Sequence, residues 1–115
     1  MIKVFISQPM KGKTDEEIKA ERAAAIEKIK DEFNDTDVEI IDSFFEGAPH
    51  DAKPLWLLGE SFKKLSGADV AYFCKGWRDA RGCILEYEAA KQDGMKVVVD
   101  PDEDDDLVKE SLDFG

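Results

Sequence analysis

The chain has 115 residues, 43% of them hydrophobic, and a formal net charge of -11. That length and composition suit one globular domain, residues 1–115, with its own core. The charge argues against nucleic acid or an anionic membrane as partner, because both would repel the chain, but a small phosphorylated ligand responds only to its local field.

Residues 2–6 read as a first strand, followed by the loop Ser7-Gln8-Pro9-Met10-Lys11-Gly12-Lys13. Thr14 and Glu17 match a capping box. The helix they open is expected to run to about Phe33, with Ile18, Ala25, Ile26, Ile29 and Phe33 as its buried stripe. Residues 38–41 form the second strand. A loop over residues 42–53 carries Phe44, Phe45, Gly47, Pro49 and His50, the only histidine. Pro54 suits the first turn of a helix over residues 55–65, closed by Ser66 and Gly67. The third strand, predicted from Ala68, holds the apolar run Val70-Ala71-Tyr72-Phe73-Cys74, as in a strand buried on both faces. Gly76 ends it. Asp79 is the expected N-cap of a helix over residues 80–92, with Gly94 as its stop. Residues 95–99 are the fourth strand. Pro101 breaks it, and an acidic run from Asp102 to Asp106 leads toward a short helix near residues 107–112.

Strands and helices alternate with short connections, which predicts a parallel, doubly wound sheet with helices on both faces. No apolar run approaches membrane-spanning length. Met1 leads straight into the first strand, so no signal peptide is expected. Cys74 and Cys83 have neither disulfide-framework nor zinc spacing. They read as packed thiols in a reducing cytoplasm. His50 has no second ligand and no nucleophile paired with it by motif, which argues against metal and triad chemistry. The acidic run lacks the glycine-centred calcium-loop pattern and reads as a solvated tail.

Glu86 is the residue that amphipathic design does not explain. At about 100° per residue, Gly82, Cys83, Leu85, Tyr87, Ala89 and Ala90 share one broad arc of the helix, and Glu86 falls inside it. Ile84, Glu88, Lys91 and Gln92 lie outside. A carboxylate on a packed face is costly unless paired or used, and the nearby helix N-terminus is expected to favour its ionised form. The plainer alternative is a boundary glutamate that curls to water.

In a parallel sheet the loop after the first strand shares a rim with residues 76–82, where ligands collect. Ser7, Lys11, Gly12 and Lys13 have the ingredients of an anion cradle, although P-loop spacing is absent. Arg78 and Arg81 add charge from the second loop. Together the two loops favour an anionic or sugar-bearing ligand over a pair of solvated turns. Trp77 reads either as a lid or as a plug on the core.

These residues also resemble a known family. Phe5-Ile6-Ser7-Gln8-Pro9-Met10-Lys11-Gly12, then Ala68-Asp69-Val70, then Gly76-Trp77 and Arg81-Gly82-Cys83 through Glu86, with Ala89-Ala90 behind, resemble the nucleoside 2-deoxyribosyltransferase-like superfamily. The nearest branch is the small bacterial and phage proteins of unknown function. The resemblance spans nearly the whole chain. It implies a flavodoxin-like three-layer α/β/α fold with a mostly parallel four- to five-stranded sheet, and assembly as a homodimer or higher homo-oligomer. It implies Glu86 as the nucleophile on C1′ of a 2-deoxyribose, displacing the base and leaving a glycosyl ester that a second base or water resolves. No metal or organic cofactor is implied. The nucleoside or its 5′-monophosphate would be held by Ser7, Pro9, Met10, Lys11, Gly12, Gly76, Trp77, Asp79, Arg81 and Gly82.

Two departures from the family pattern stand out. Active relatives carry an aspartate on the helix before the third strand. Here that stretch reads Gly59-Glu60-Ser61-Phe62, leaving Glu60 as the candidate acid or Ser61 in its place. Six residues before the nucleophile, where relatives have Asp or Ser, stands Ala80. The rival expectations are therefore a nucleotide-binding domain without turnover and an interaction domain without a small ligand. A phospho-acceptor regulator is disfavoured, because Ile6-Ser7-Gln8 stands where an acidic pair would follow the first strand.

Overall fold

A computed structural model of the chain describes residues 1–34, 37–41 and 53–101. Four strands, β1 (Ile2–Ser7), β2 (Val38–Ile41), β3 (Val70–Phe73) and β4 (Lys96–Val99), form an all-parallel sheet in the order β2-β1-β3-β4. Three helices connect them: α1 (Asp15–Glu32), α2 (Pro54–Leu65) and α3 (Arg81–Gln92). This is a flavodoxin-like arrangement. The expected loop aromatics Phe44 and Phe45, His50, the acidic run and the terminal helix lie outside the described residues.

Alternation along β1 builds the two cores. Val4 and Ile6 pack with Ala25 and Ile29 of α1 and with Val70 and Tyr72 of β3. Phe5 packs on the opposite face with Leu65 of α2, Phe73 of β3, and Cys83 and Ala90 of α3. β3 is buried along its whole length because both faces are covered, as its unbroken apolar run implies. α1 leaves β1 toward β2, whereas α3 leaves β3 toward β4. The winding reverses between β1 and β3, whose C-terminal ends pair Ser7 with Phe73.

The helix ends explain where the sequence signals held. Thr14 Oγ1 accepts from the Glu17 amide, and the Glu17 carboxylate accepts from the Thr14 amide, both at 3.1 Å. α3 closes as a Schellman turn: Gly94 has φ +75°, its N–H donates to the Lys91 carbonyl, and the Met95 N–H donates to that of Ala90. Of the expected α1 stripe, Ile18, Ala25 and Ile29 are buried, while Ile26 and Phe33 are only partly so.

Other expectations need correction. Asp79 does not cap α3. It ends a 3-10 turn, Trp77–Asp79, and Ala80 is the N-cap, with no side-chain bond. Burial of Trp77 draws this segment into a turn closed by the Ala80 N–H donating to the Trp77 carbonyl, so α3 starts one residue late. β3 begins at Val70 rather than Ala68, because Ala68 is still tied to the exit of α2 through the Leu65 carbonyl. Leu85, placed on the packed arc, is exposed, because the buried strip of α3 is narrower and follows Cys83, Glu86 and Ala90.

One polar network anchors the end of β4. Asp100 is buried and accepts from Tyr72 Oη at 3.0 Å and from Lys28 Nζ of α1 at 3.0 and 3.1 Å. It ties the far edge strand to the α1 layer. Asp100→Ala leaves a buried hydroxyl and an ammonium without this acceptor, and should lower unfolding free energy by about 2–3 kcal/mol; Tyr72→Phe should cost about 1 kcal/mol. Urea unfolding, with midpoints lowered in that order and slopes unchanged, checks both.

Candidate active site

Glu86 is 6% exposed, on the strip of α3 that packs against the sheet. Its position follows from the spacing Cys83, Glu86, Ala90, which repeats at helical period over the second core. Ser7, the last residue of β1, is also buried and points to the same face as Phe5. Its Oγ donates to Glu86 Oε1 at 2.6 Å. The Ser61 hydroxyl of α2 interacts with the same carboxyl. Three elements that are distant in sequence thus converge on one acidic group.

Burial pushes the Glu86 carboxyl above the ordinary carboxylate range, and the hydroxyls of Ser7 and Ser61 pull it partly back. Desolvation therefore outweighs the ionising influence expected of the helix terminus. Among the described residues, no second carboxylate contributes to the shift. Cys83, one turn earlier, has its thiol raised to about 11 by burial, against a lowering contact with Ser7. Cys74, on the other face of the sheet, is raised to about 12, again chiefly by burial. Both thiols are free and stay protonated near neutrality, as packed sulfurs should.

The rim above Ser7 is built from the two expected loops. Gly76, with φ +88°, turns the chain where a Cβ would stand 3.6 Å from Pro9 Cγ, so the loops meet here. Pro9 and Met10 are half-buried. Lys11 and Gly12 are exposed, and Gly12 takes φ +80°. Lys13 is engaged by Glu21 at 2.8 Å, which takes one cation of the expected anion cradle. Asp79 and Arg81 are exposed at the start of α3, and Gly82 is half-buried.

Trp77 is the plug of its two readings. It is 3% exposed, stacked on Tyr87 at 4.5 Å and tilted against Phe73 at 5.4 Å, with the Arg78 guanidinium 4.7 Å from its ring centre. It supports the rim from beneath. Glu60 forms an ion pair with Lys63 at 2.9 Å, and it is the next residue, Ser61, that reaches Glu86. Gln8 received no role from sequence, yet it is buried. Its Nε2 donates to the Ile18 carbonyl at 2.6 Å, while its Oε1 has no hydrogen-bond partner among the described residues. Its place beside Ser7 in the loop was the one available signal. Among the described residues, no group of three His, Cys, Asp or Glu side chains is placed to hold a metal. No described helix is long and apolar enough to cross a membrane.

Fold and site together define a flavodoxin-like α/β protein with a buried, hydroxyl-bonded carboxyl beside its topological switch point. Residues 2–99 match the family described as a domain of unknown function, DUF4406, and the chain belongs to that family. Comparison with curated proteins and with solved structures finds no match in either set.

A carboxyl whose folded pKa lies above its unfolded value binds more protons in the native state. Its contribution to stability is full below the unfolded pKa and is lost as pH rises through the folded one. Glu86→Gln should therefore gain stability relative to the parent chain near neutral pH, and the gain should vanish below the ordinary carboxylate range. Denaturant titrations of both chains across that pH interval test this.

Proposed function

We propose that this protein cleaves or exchanges the N-glycosidic bond of a 2′-deoxynucleoside or its 5′-monophosphate, with Glu86 as nucleophile, and that it is a member of the nucleoside 2-deoxyribosyltransferase-like superfamily. The observation that carries this reading is Glu86 itself, desolvated and aligned by Ser7 at the C-terminal rim of a parallel sheet. A carboxylate fixed in such surroundings suits the developing positive charge of an oxocarbenium-like sugar. Attack of a Glu86 oxygen on C1′ forms a glycosyl ester as the C1′–N bond breaks, and the electron pair leaves on the base with a proton taken up there. Water or a second base then attacks C1′ and releases the carboxylate. Ser7 positions the carboxyl, and the loop residues Pro9, Met10, Lys11 and Gly12 with Arg81 and Gly82 hold the sugar or its phosphate. The two unpaired thiols fit a reducing cytoplasm.

A second reading, a nucleotide-binding domain without turnover, is favoured by one observation. The candidate acid Glu60 is engaged by Lys63, and Ser61 occupies the side of α2 that faces Glu86. Binding survives such a loss more readily than rate does.

Incubation with a panel of deoxynucleosides and their monophosphates should release free base. Glu86→Ala should reduce release to background, and Ser7→Ala should slow it about ten- to a hundredfold through loss of one charge-assisted bond. Release by the parent chain should rise with pH as Glu86 ionises. Release that persists in Glu86→Ala refutes the nucleophile. Ligand-raised melting temperature without any release selects the binding reading.

A further inference from the structure

Cys83 and Glu86 lie one turn apart on the buried strip of α3. At that spacing their Cβ atoms are about 5–6 Å apart, so one small group between them can touch both. Ser7 is that group. It is buried at the end of β1, its Oγ lies 2.6 Å from Glu86 Oε1, and the same hydroxyl meets the Cys83 side chain. Cys83 otherwise packs in an apolar cluster with Phe5, Leu65, Phe73, Trp77 and Ala90. The proposed chemistry uses Ser7 and Glu86 and leaves the thiol without a role.

Proton counting fixes the direction of these bonds. A serine hydroxyl has one proton to give and two lone pairs with which to accept. When Glu86 is ionised, the 2.6 Å contact is a charge-assisted one, and the Ser7 proton is committed to the carboxylate. The contact with Cys83 must then run the other way, from the thiol to a lone pair of Oγ. Burial supplies the condition this needs, because it raises the thiol to about 11 and keeps its proton in place near neutrality. A hydroxyl that accepts one bond is a better donor in the next, so the thiol strengthens the hold of Ser7 on the carboxylate. Neighbouring elements face the pair with few other groups among the described residues. Ser61 meets the Glu86 carboxyl from α2, Lys13 acts on Cys83 through its charge while paired with Glu21, and β3 contributes the uncharged Phe73.

We propose that Cys83 is a positioning residue for Glu86: its thiol donates to Ser7 Oγ, holds that hydroxyl in one orientation and aims its proton at the carboxylate. The consequence for rate rests on the glycosidic reading; the chain of hydrogen bonds does not.

Infrared spectroscopy of the S–H stretch in the full chain tests this. The chain has two free thiols, and Cys83→Ala removes one band and so assigns it. The Cys83 band should stand at the lowered frequency of a donating thiol at neutral pH. It should rise when Ser7→Ala removes the acceptor, when Glu86→Gln removes the charge that polarises Ser7, and in the parent chain as pH falls through the Glu86 titration. Cys83→Ala should also raise the Glu86 titration midpoint, followed by NMR of the carboxyl carbon, and slow base release about two- to fivefold. Cys83→Ser, which keeps a donor, should restore both. Circular dichroism melts identify any variant that fails to fold, and the pH dependence in the parent chain needs none of them. A Cys83 band at the frequency of a free thiol overturns the proposal, as does one indifferent to Ser7→Ala or to the charge of Glu86. A band that follows Glu86 in a protein that releases no base upholds the hydrogen-bond chain and counts against the glycosidic reading instead.

Discussion

The hydrogen bond from Ser7 to Glu86 closes the structure at the point where its layers meet. Ser7 ends the first strand, Glu86 sits on the third helix, and the two are 79 residues apart in sequence. Ser61 adds the second helix to the same carboxyl. A buried acid is an expense that a core of this size tolerates only with partners. Among the described residues the partners are two hydroxyls rather than a cation, so the carboxyl keeps an elevated affinity for its proton. An arginine in place of either serine would have made a structural ion pair. The serines leave an acid held in position but not neutralised by an opposite charge.

The rest of the rim follows from fold topology. Reversal of winding between β1 and β3 opens the space in which their loops face each other, and Pro9 against Gly76 sets how closely they approach. The aromatic cluster of Phe73, Trp77 and Tyr87 packs at the start of α3, the helix that carries Glu86. Fold and site are joined through α3: Cys83 packs in the same core as Trp77, and Glu86 lies on the buried strip that Cys83 begins.

Much of this was legible in the chain. Helical period placed Glu86 inward, the capping box at Thr14 and the stop at Gly94 read directly, and the apolar run of β3 announced a doubly covered strand. What failed were features decided by tertiary contact. Asp79 is a good cap by type, but burial of Trp77 spent that residue on a 3-10 turn. Leu85 fits the packed arc by angle, but the strip that reaches the sheet is only one residue wide per turn. The sign of the Glu86 shift depended on weighing a helix terminus against desolvation, and depth of burial is not written in local sequence. Gln8 left no periodic trace at all. The family match over residues 2–99 agrees with the extent of the fold.

The central proposed step is attack of Glu86 on a sugar carbon. The most direct measurement is to incubate the protein with deoxynucleosides or their monophosphates, quench in acid, digest, and weigh the peptide that spans residue 86. That peptide alone should gain the mass of one deoxyribosyl unit, phosphorylated where the substrate was. Free base released with no adduct on Glu86, or with an adduct on another residue, would contradict it.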